Sequence, residues 1–101
     1  MAKRKYLKED REWSKQVRER DQGCVVCGKT DGHLSAHHII PEKFPEFKLT
    51  LINGVTLCYT HHLGGKFSAH KNAVWFTNWL KTHKPYVYEW ACANLRRLED
   101  E

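Results

Sequence analysis

The sequence predicts a small α+β domain, and three observations lead to it. Apolar residues recur at helical spacing near both ends of the chain, at Trp13 and Val17 and again through residues 71–98. Between them lie two short runs with strand character, 33–40 and 51–57. Beside each run sits a pair of ion-binding side chains separated by two residues, which ties the middle of the chain together. At 101 residues the chain reads as a single domain, 1–101, near the size at which one core is thin.

Composition narrows the function classes. The formal charge is +5 and the pI about 9.1, with seven histidines counted as neutral. A basic surface attracts polyanions, and nucleic acid is the most abundant of these inside a cell. No apolar run approaches the roughly 20 residues of a membrane span, so no membrane role is expected. The N-terminal Met-Ala-Lys-Arg-Lys is not followed by an apolar h-region. The expected location is the cytoplasm, where closely spaced cysteines hold metal more often than they form disulfides.

Taken in order, residues 1–7 are basic and read as frayed. Residues 8–20 are dense in charge, with Trp13 and Val17 forming a narrow apolar stripe, the mark of a helix with one thin buried edge. Arg11, Lys15, Arg18 and Arg20 fit a solvated face, with phosphate contact by Arg18 and Arg20 as the functional alternative. Asp21-Gln22-Gly23 stops the helix, Gly23 being suited to a cap. The knuckle Cys24-Val25-Val26-Cys27-Gly28 follows, and Thr30-Asp31-Gly32 turns into the first strand, which ends at Pro41.

Residues 41–50 form a connection broken by two prolines. The second strand, 51–57, contains Asn53-Gly54, a turn signal. A short helix should open at Cys58-Tyr59-Thr60-His61-His62 and end at Gly64-Gly65. Trp75, Phe76, Trp79 and Leu80 give a helix near 71–82; Val87, Trp90, Ala91, Leu95 and Leu98 give another near 86–98. The tryptophans read as core, with stacking on bases as the lesser option. Cys92 stands apart and reads as an apolar filler.

Cys24 and Cys27 supply two thiolates, and after thirty intervening residues Cys58 and His61 repeat the gap. Zinc prefers a closed tetrahedral set of sulfur and nitrogen ligands, which two such knuckles provide. A Cys24–Cys27 disulfide would leave Cys58 unexplained. The clip also contributes folding free energy that so small a domain needs.

Outside that set remain His37 and His38 on the first strand, Asn53 on the second and His62 beyond it. Adjacent strand residues point to opposite sides, so two imidazoles can approach a phosphate differently. Phosphodiester hydrolysis needs a base for water on one side and charge neutralisation of the leaving oxygen on the other. Neutral histidine can take the proton near pH 7.

Cys-x2-Cys, Ala-His-His-Ile-Ile-Pro, Asn-Gly-Val-Thr-Leu-Cys and a histidine after the second knuckle together resemble the HNH endonuclease family. The likeness is to its small free-standing, phage-type members and covers about residues 13–66, with 71–98 as a helical extension. It implies a ββα-metal core with structural zinc, flanked by an N-terminal helix and two C-terminal ones. His38 matches the general base and His37 a ligand of the catalytic cation. Asn53 matches the middle residue that holds the loop and orients the base, and His62 the final ligand.

Two positions depart from the pattern. The fourth zinc position, commonly cysteine, is His61, which makes His61 and His62 exchangeable in sequence. A ligand found one helical turn beyond the last histidine in some members is replaced by Lys66, and His70 is not expected to stand in for it. The resemblance implies DNA as substrate and Mg²⁺ or Mn²⁺ as catalytic cation, with Ni²⁺ as a further option. A monomer with one centre should nick, with low sequence specificity; Lys43 and Lys66 join the arginines as phosphate contacts. The alternatives are a zinc-stabilised nucleic-acid-binding module without catalysis, and a nuclease accessory of a phage packaging machine that docks packaging proteins. A phage-encoded protein would act in the host cytoplasm.

Overall fold

The protein is described from a computed structural model covering residues 8–101; the basic stretch 1–7 lies outside the described residues. Contacts group the chain into two compact units, one ending at Cys58 and the other running Tyr59–Glu101. The fold is α+β, with one two-stranded antiparallel sheet and three α-helices among the described residues. No described helix is long and apolar enough to cross a membrane.

In the first unit, α1 (Lys8–Asp21) lies against β1 (Leu34–His38) and β2 (Gly54–Cys58). Its buried residues are Trp13 and Val17, the stripe that the spacing predicts. The strands pair Leu34 with Cys58, His37 with Val55 and His38 with Gly54. All five residues of β2 are buried, so this strand is the floor of the unit. A Cβ on Gly54 would stand 2.5 Å from the Trp13 ring, so only glycine lets the indole approach there.

Side chains fasten the helix to the sheet. The Thr56 amide donates to Asp21 Oδ2 at 2.8 Å, and the Trp13 indole N–H donates to the Thr50 carbonyl at 2.9 Å. Arg20 grips Asp21 through both carboxylate oxygens and donates to the Leu51 and Gly54 carbonyls. Two sequence expectations change here. The helix is closed by Gln22 in the left-handed region (φ 55°), with Gly23 one residue later. Asn53-Gly54 is no hairpin turn: Leu51–Asn53 is a single 3₁₀ turn and the strand begins at Gly54.

The second unit opens with one π-type turn, Thr60–Gly64, in which the Gly65 amide donates to the Thr60 carbonyl at 2.8 Å. A short α-helix is expected here; the Gly64-Gly65 pair leaves room for the wider turn, and the Tyr59 ring occupies the space a Cβ on Gly64 would need. Helices α2 (Ala73–His83) and α3 (Pro85–Glu99) then pack as a hairpin. Asn72 caps α2 by accepting the Trp75 amide, and Pro85 opens α3, where a missing N–H costs nothing. Phe76, Leu80, Val87 and Ala91 are the buried residues of the pair.

Candidate metal and imidazole sites

The knuckle after α1 is shaped by its backbone. The Gly28 amide donates to the Cys24 carbonyl at 2.8 Å, and the Cys24 amide to the Lys29 carbonyl at 2.9 Å. Gly28 holds φ 81°, a left-handed conformation that glycine adopts without a steric penalty. The Val25 amide donates to the Thr56 carbonyl, which docks the knuckle beside β2 and its last residue, Cys58.

All four cysteines are free thiols. The ligand atoms of Cys24, Cys27, Cys58 and His61 lie within 4.8 Å of one another. The Cys27 and Cys58 sulfurs are 3.9 Å apart, close to the roughly 3.8 Å edge of a tetrahedron with ~2.3 Å zinc–sulfur bonds. This cluster can hold a metal ion such as zinc.

The thiols differ electrostatically. Burial opposes ionisation of Cys24, but hydrogen bonds to it from the Cys58, Cys27 and Val26 backbone and from the Cys27 side chain outweigh that penalty and hold it below the ordinary thiol range. Cys27 is shifted up. The Lys29 backbone favours its thiolate, but burial, the Cys24 and Cys58 side chains and the Cys24 charge together prevail.

His38 is held on three sides. Its ring stacks on Trp13, centroids 4.0 Å apart and planes 5° from parallel. Nε2 lies 2.9 Å from the Lys48 carbonyl oxygen. A carbonyl only accepts, so Nε2 carries the hydrogen and Nδ1 holds the lone pair of the neutral ring. The exposed Glu42 carboxylate stands 3.4 Å from Nδ1. Lys48 is itself placed by an ion pair with Asp10 at 3.3 Å.

Asn53 is fully buried and spends its amide on backbone. It accepts the Ile40 amide at 2.7 Å and donates to the Ile40 and Phe47 carbonyls at 3.0 and 3.2 Å. It closes the loop that carries Glu42 and Lys48, which is the loop-holding part of what the resemblance implies for it.

A second histidine group lies within the second unit, where His62 and His70 come together. His70 reaches His62 because the chain does loop back here. The Ala69 and His70 amides donate to the His61 and His62 carbonyls at 2.8 and 3.1 Å. The chain doubles back on the π-type turn, and the His70 ring meets His62 edge to face at 4.8 Å. Buried Ser68 tightens the return by donating to the Gly65 carbonyl at 2.8 Å.

Among the expected phosphate contacts, Arg18, Lys43 and Lys66 are exposed. Arg20 is exposed as well, but its guanidinium is already bonded to Asp21 and to the Leu51 and Gly54 carbonyls. Sequence reasoning missed Glu42 and the Lys48 carbonyl. The first sits four residues past His38 without any motif, and a backbone carbonyl leaves no trace in sequence. Compared with family models, curated proteins and solved structures, the chain finds no significant match.

Proposed function

We propose that this chain is a metal-dependent DNA endonuclease of the HNH type. One observation carries the reading: His38, oriented by Trp13 and the Lys48 carbonyl with Nδ1 as its basic atom, adjoins on β1 His37, which the resemblance makes a ligand of the catalytic cation. A base and a cation ligand on consecutive residues of one strand suit in-line attack on a phosphodiester.

In this reading His38 Nδ1 takes the proton from a water molecule. The Lys48 carbonyl keeps the ring in the tautomer that can do so, and the Glu42 carboxylate stabilises the imidazolium that results. A divalent cation held by His37 and His62, the ligands the resemblance implies, would neutralise charge on the leaving oxygen. Imidazole ligands suit Mn²⁺ or Ni²⁺ better than Mg²⁺, which favours oxygen ligands. β1, β2 and the turn after Cys58 read as a ββα-metal core in which a π-type turn opens the helical arm. The clip at Cys24, Cys27, Cys58 and His61 takes structural zinc.

Supercoiled plasmid incubated with the protein and Mn²⁺, Mg²⁺ or Ni²⁺ should relax to the nicked circle, and EDTA should stop the reaction. The His38→Ala variant should bind DNA but leave it supercoiled. Relaxation by that variant at the wild-type rate would remove His38 from the mechanism. No relaxation with any of the three cations would leave a zinc-stabilised DNA-binding module.

A further inference from the structure

The segment from Tyr59 to Lys84 has a charge pattern that the nuclease chemistry does not use. Its 26 residues include Lys66, Lys71, Lys81 and Lys84 and not one aspartate or glutamate. Over the same stretch aromatic rings follow one another. His61 and Trp75 lie 6.1 Å apart, Phe67 and Trp75 5.9 Å, Phe76 and Trp79 6.4 Å with planes 2° from parallel, and Trp79 and His83 4.9 Å.

Trp75, Trp79 and His83 fall at i, i+4 and i+8, which puts them along one side of α2. The hairpin buries Phe76 and Leu80, one residue further round, while Trp75 and Trp79 stay partly open to solvent. Phe67 is 57% exposed and Val74 82%. His83 is fixed over Trp79 by a 3.2 Å hydrogen bond between its Nδ1 and the Trp79 carbonyl. Phe67, the most open of these phenylalanine and tryptophan rings, is flanked in sequence by Lys66 and Lys71 within a stretch that carries cations and no carboxylate of its own.

We propose that the exposed Phe67 ring and the partly open Trp75 beside it bind a single-stranded polynucleotide, its bases stacked on these rings and its phosphates at the neighbouring Lys66 and Lys71. The cations alone would serve a duplex equally well, since phosphate attraction does not distinguish strands. The rings decide the matter: a base presents its flat face only when unpaired, and each stacked base adds affinity independent of sequence. The inference deepens the nuclease reading and rests on it for the choice of nucleic acid. It adds that the substrate carries unpaired bases, as at a flap, gap or displaced strand.

The test uses the full-length, zinc-loaded protein with no other divalent cation, so that binding is read without cleavage. Fluorescein-labelled oligothymidylate and oligouridylate of about twelve nucleotides and a blunt duplex of equal length are titrated by anisotropy at low salt, with tryptophan emission recorded in parallel. Oligothymidylate is expected to bind about tenfold tighter than the duplex and to quench tryptophan emission. Phe67→Leu, at an exposed position, should keep the wild-type melting temperature and lose about fivefold or more in affinity for the single strand alone. Lys66→Gln with Lys71→Gln should flatten the salt dependence. Equal binding of oligouridylate supports the shared chemistry, and a preference for either strand type identifies the source within it. Equal affinity for duplex and single strand, or an unaffected Phe67→Leu variant, overturns the proposal. Plasmid nicking alongside that result removes this inference and leaves the nuclease; single-strand preference without nicking does the reverse.

Discussion

The indole of Trp13 lies flat on the imidazole of His38, with 4.0 Å between centroids and 5° between planes. The same indole reaches the Thr50 carbonyl through its N–H. One residue of α1 thus both fills the core and fixes the ring assigned as the base. Trp13→Phe keeps a flat partner and loses the hydrogen bond, so it should cost about 1–2 kcal/mol in denaturant unfolding. Trp13→Leu should cost about 2–4 kcal/mol. It should also lower the nicking rate well beyond Trp13→Phe when both are assayed far below their melting temperatures.

Asn53 is the tie of the loop between the strands, bonded to Ile40 twice and to Phe47 once. Asn53→Asp keeps the acceptor for the Ile40 amide but leaves two carbonyls facing a carboxylate. Its expected cost is about 2–4 kcal/mol, since buried groups lose partners. Native-state hydrogen exchange should show the Ile40 amide opening before those of β2. An Ile40 amide protected as in wild type would refute this account of the loop.

The metal clip should respond to acid in one direction. The Cys24 thiol is held below the ordinary range in the fold, so its thiolate contributes stability that is fully present above the ordinary thiol value and is lost as pH falls through the folded one. Ligand protonation also releases metal. Chelation or acidification should therefore lower the melting temperature, with zinc release measured in parallel by a colorimetric dye. Cys27→Ser should reproduce the chelated state at neutral pH.

Arg20 separates structure from substrate binding. Its guanidinium is bonded to Asp21 and to the Leu51 and Gly54 carbonyls, so Arg20→Gln should cost about 1–2 kcal/mol of stability. DNA affinity at moderate salt should stay within about twofold of wild type. Arg18→Gln should do the opposite, sparing stability and reducing the salt dependence of binding by about one phosphate's worth.

Gly54 tests the closeness of helix and sheet. A methyl group there would stand 2.5 Å from the Trp13 ring and 2.9 Å from Val17. Gly54→Ala should therefore destabilise by about 1–3 kcal/mol, the range for an overfilled core. A melting temperature unchanged by Gly54→Ala would mean that α1 can shift away without loss.

What could be read from sequence was whatever obeys a period or a ligand spacing. Trp13 and Val17 located α1 and its buried edge, and the paired knuckles located Cys24, Cys27, Cys58 and His61. The α2–α3 hairpin followed from its apolar spacing and Pro85. What could not be read depends on backbone paths. His70 lies beyond the Gly64-Gly65 break, so nothing in the sequence shows that the chain loops back; it arrives by a backward run of main-chain hydrogen bonds. Arg20 was indistinguishable from its charged neighbours until the Leu51 and Gly54 carbonyls came beneath it. The Asn53-Gly54 pair carries a hairpin signal, but the buried Asn53 amide and the nearness of Trp13 override that local preference.

The two main-chain bonds from Ala69 to His61 and from His70 to His62 work as adjacent rungs of one ladder. An ion that immobilises His61 steadies the first rung and, through it, the second. Were His62 and His70 also to hold a cation, the entropy of ordering the return segment would then already be spent. Metal occupancy at the two groups should therefore be positively cooperative, and by reciprocity a cation at the imidazole pair should slow loss of the ion from the cysteine clip.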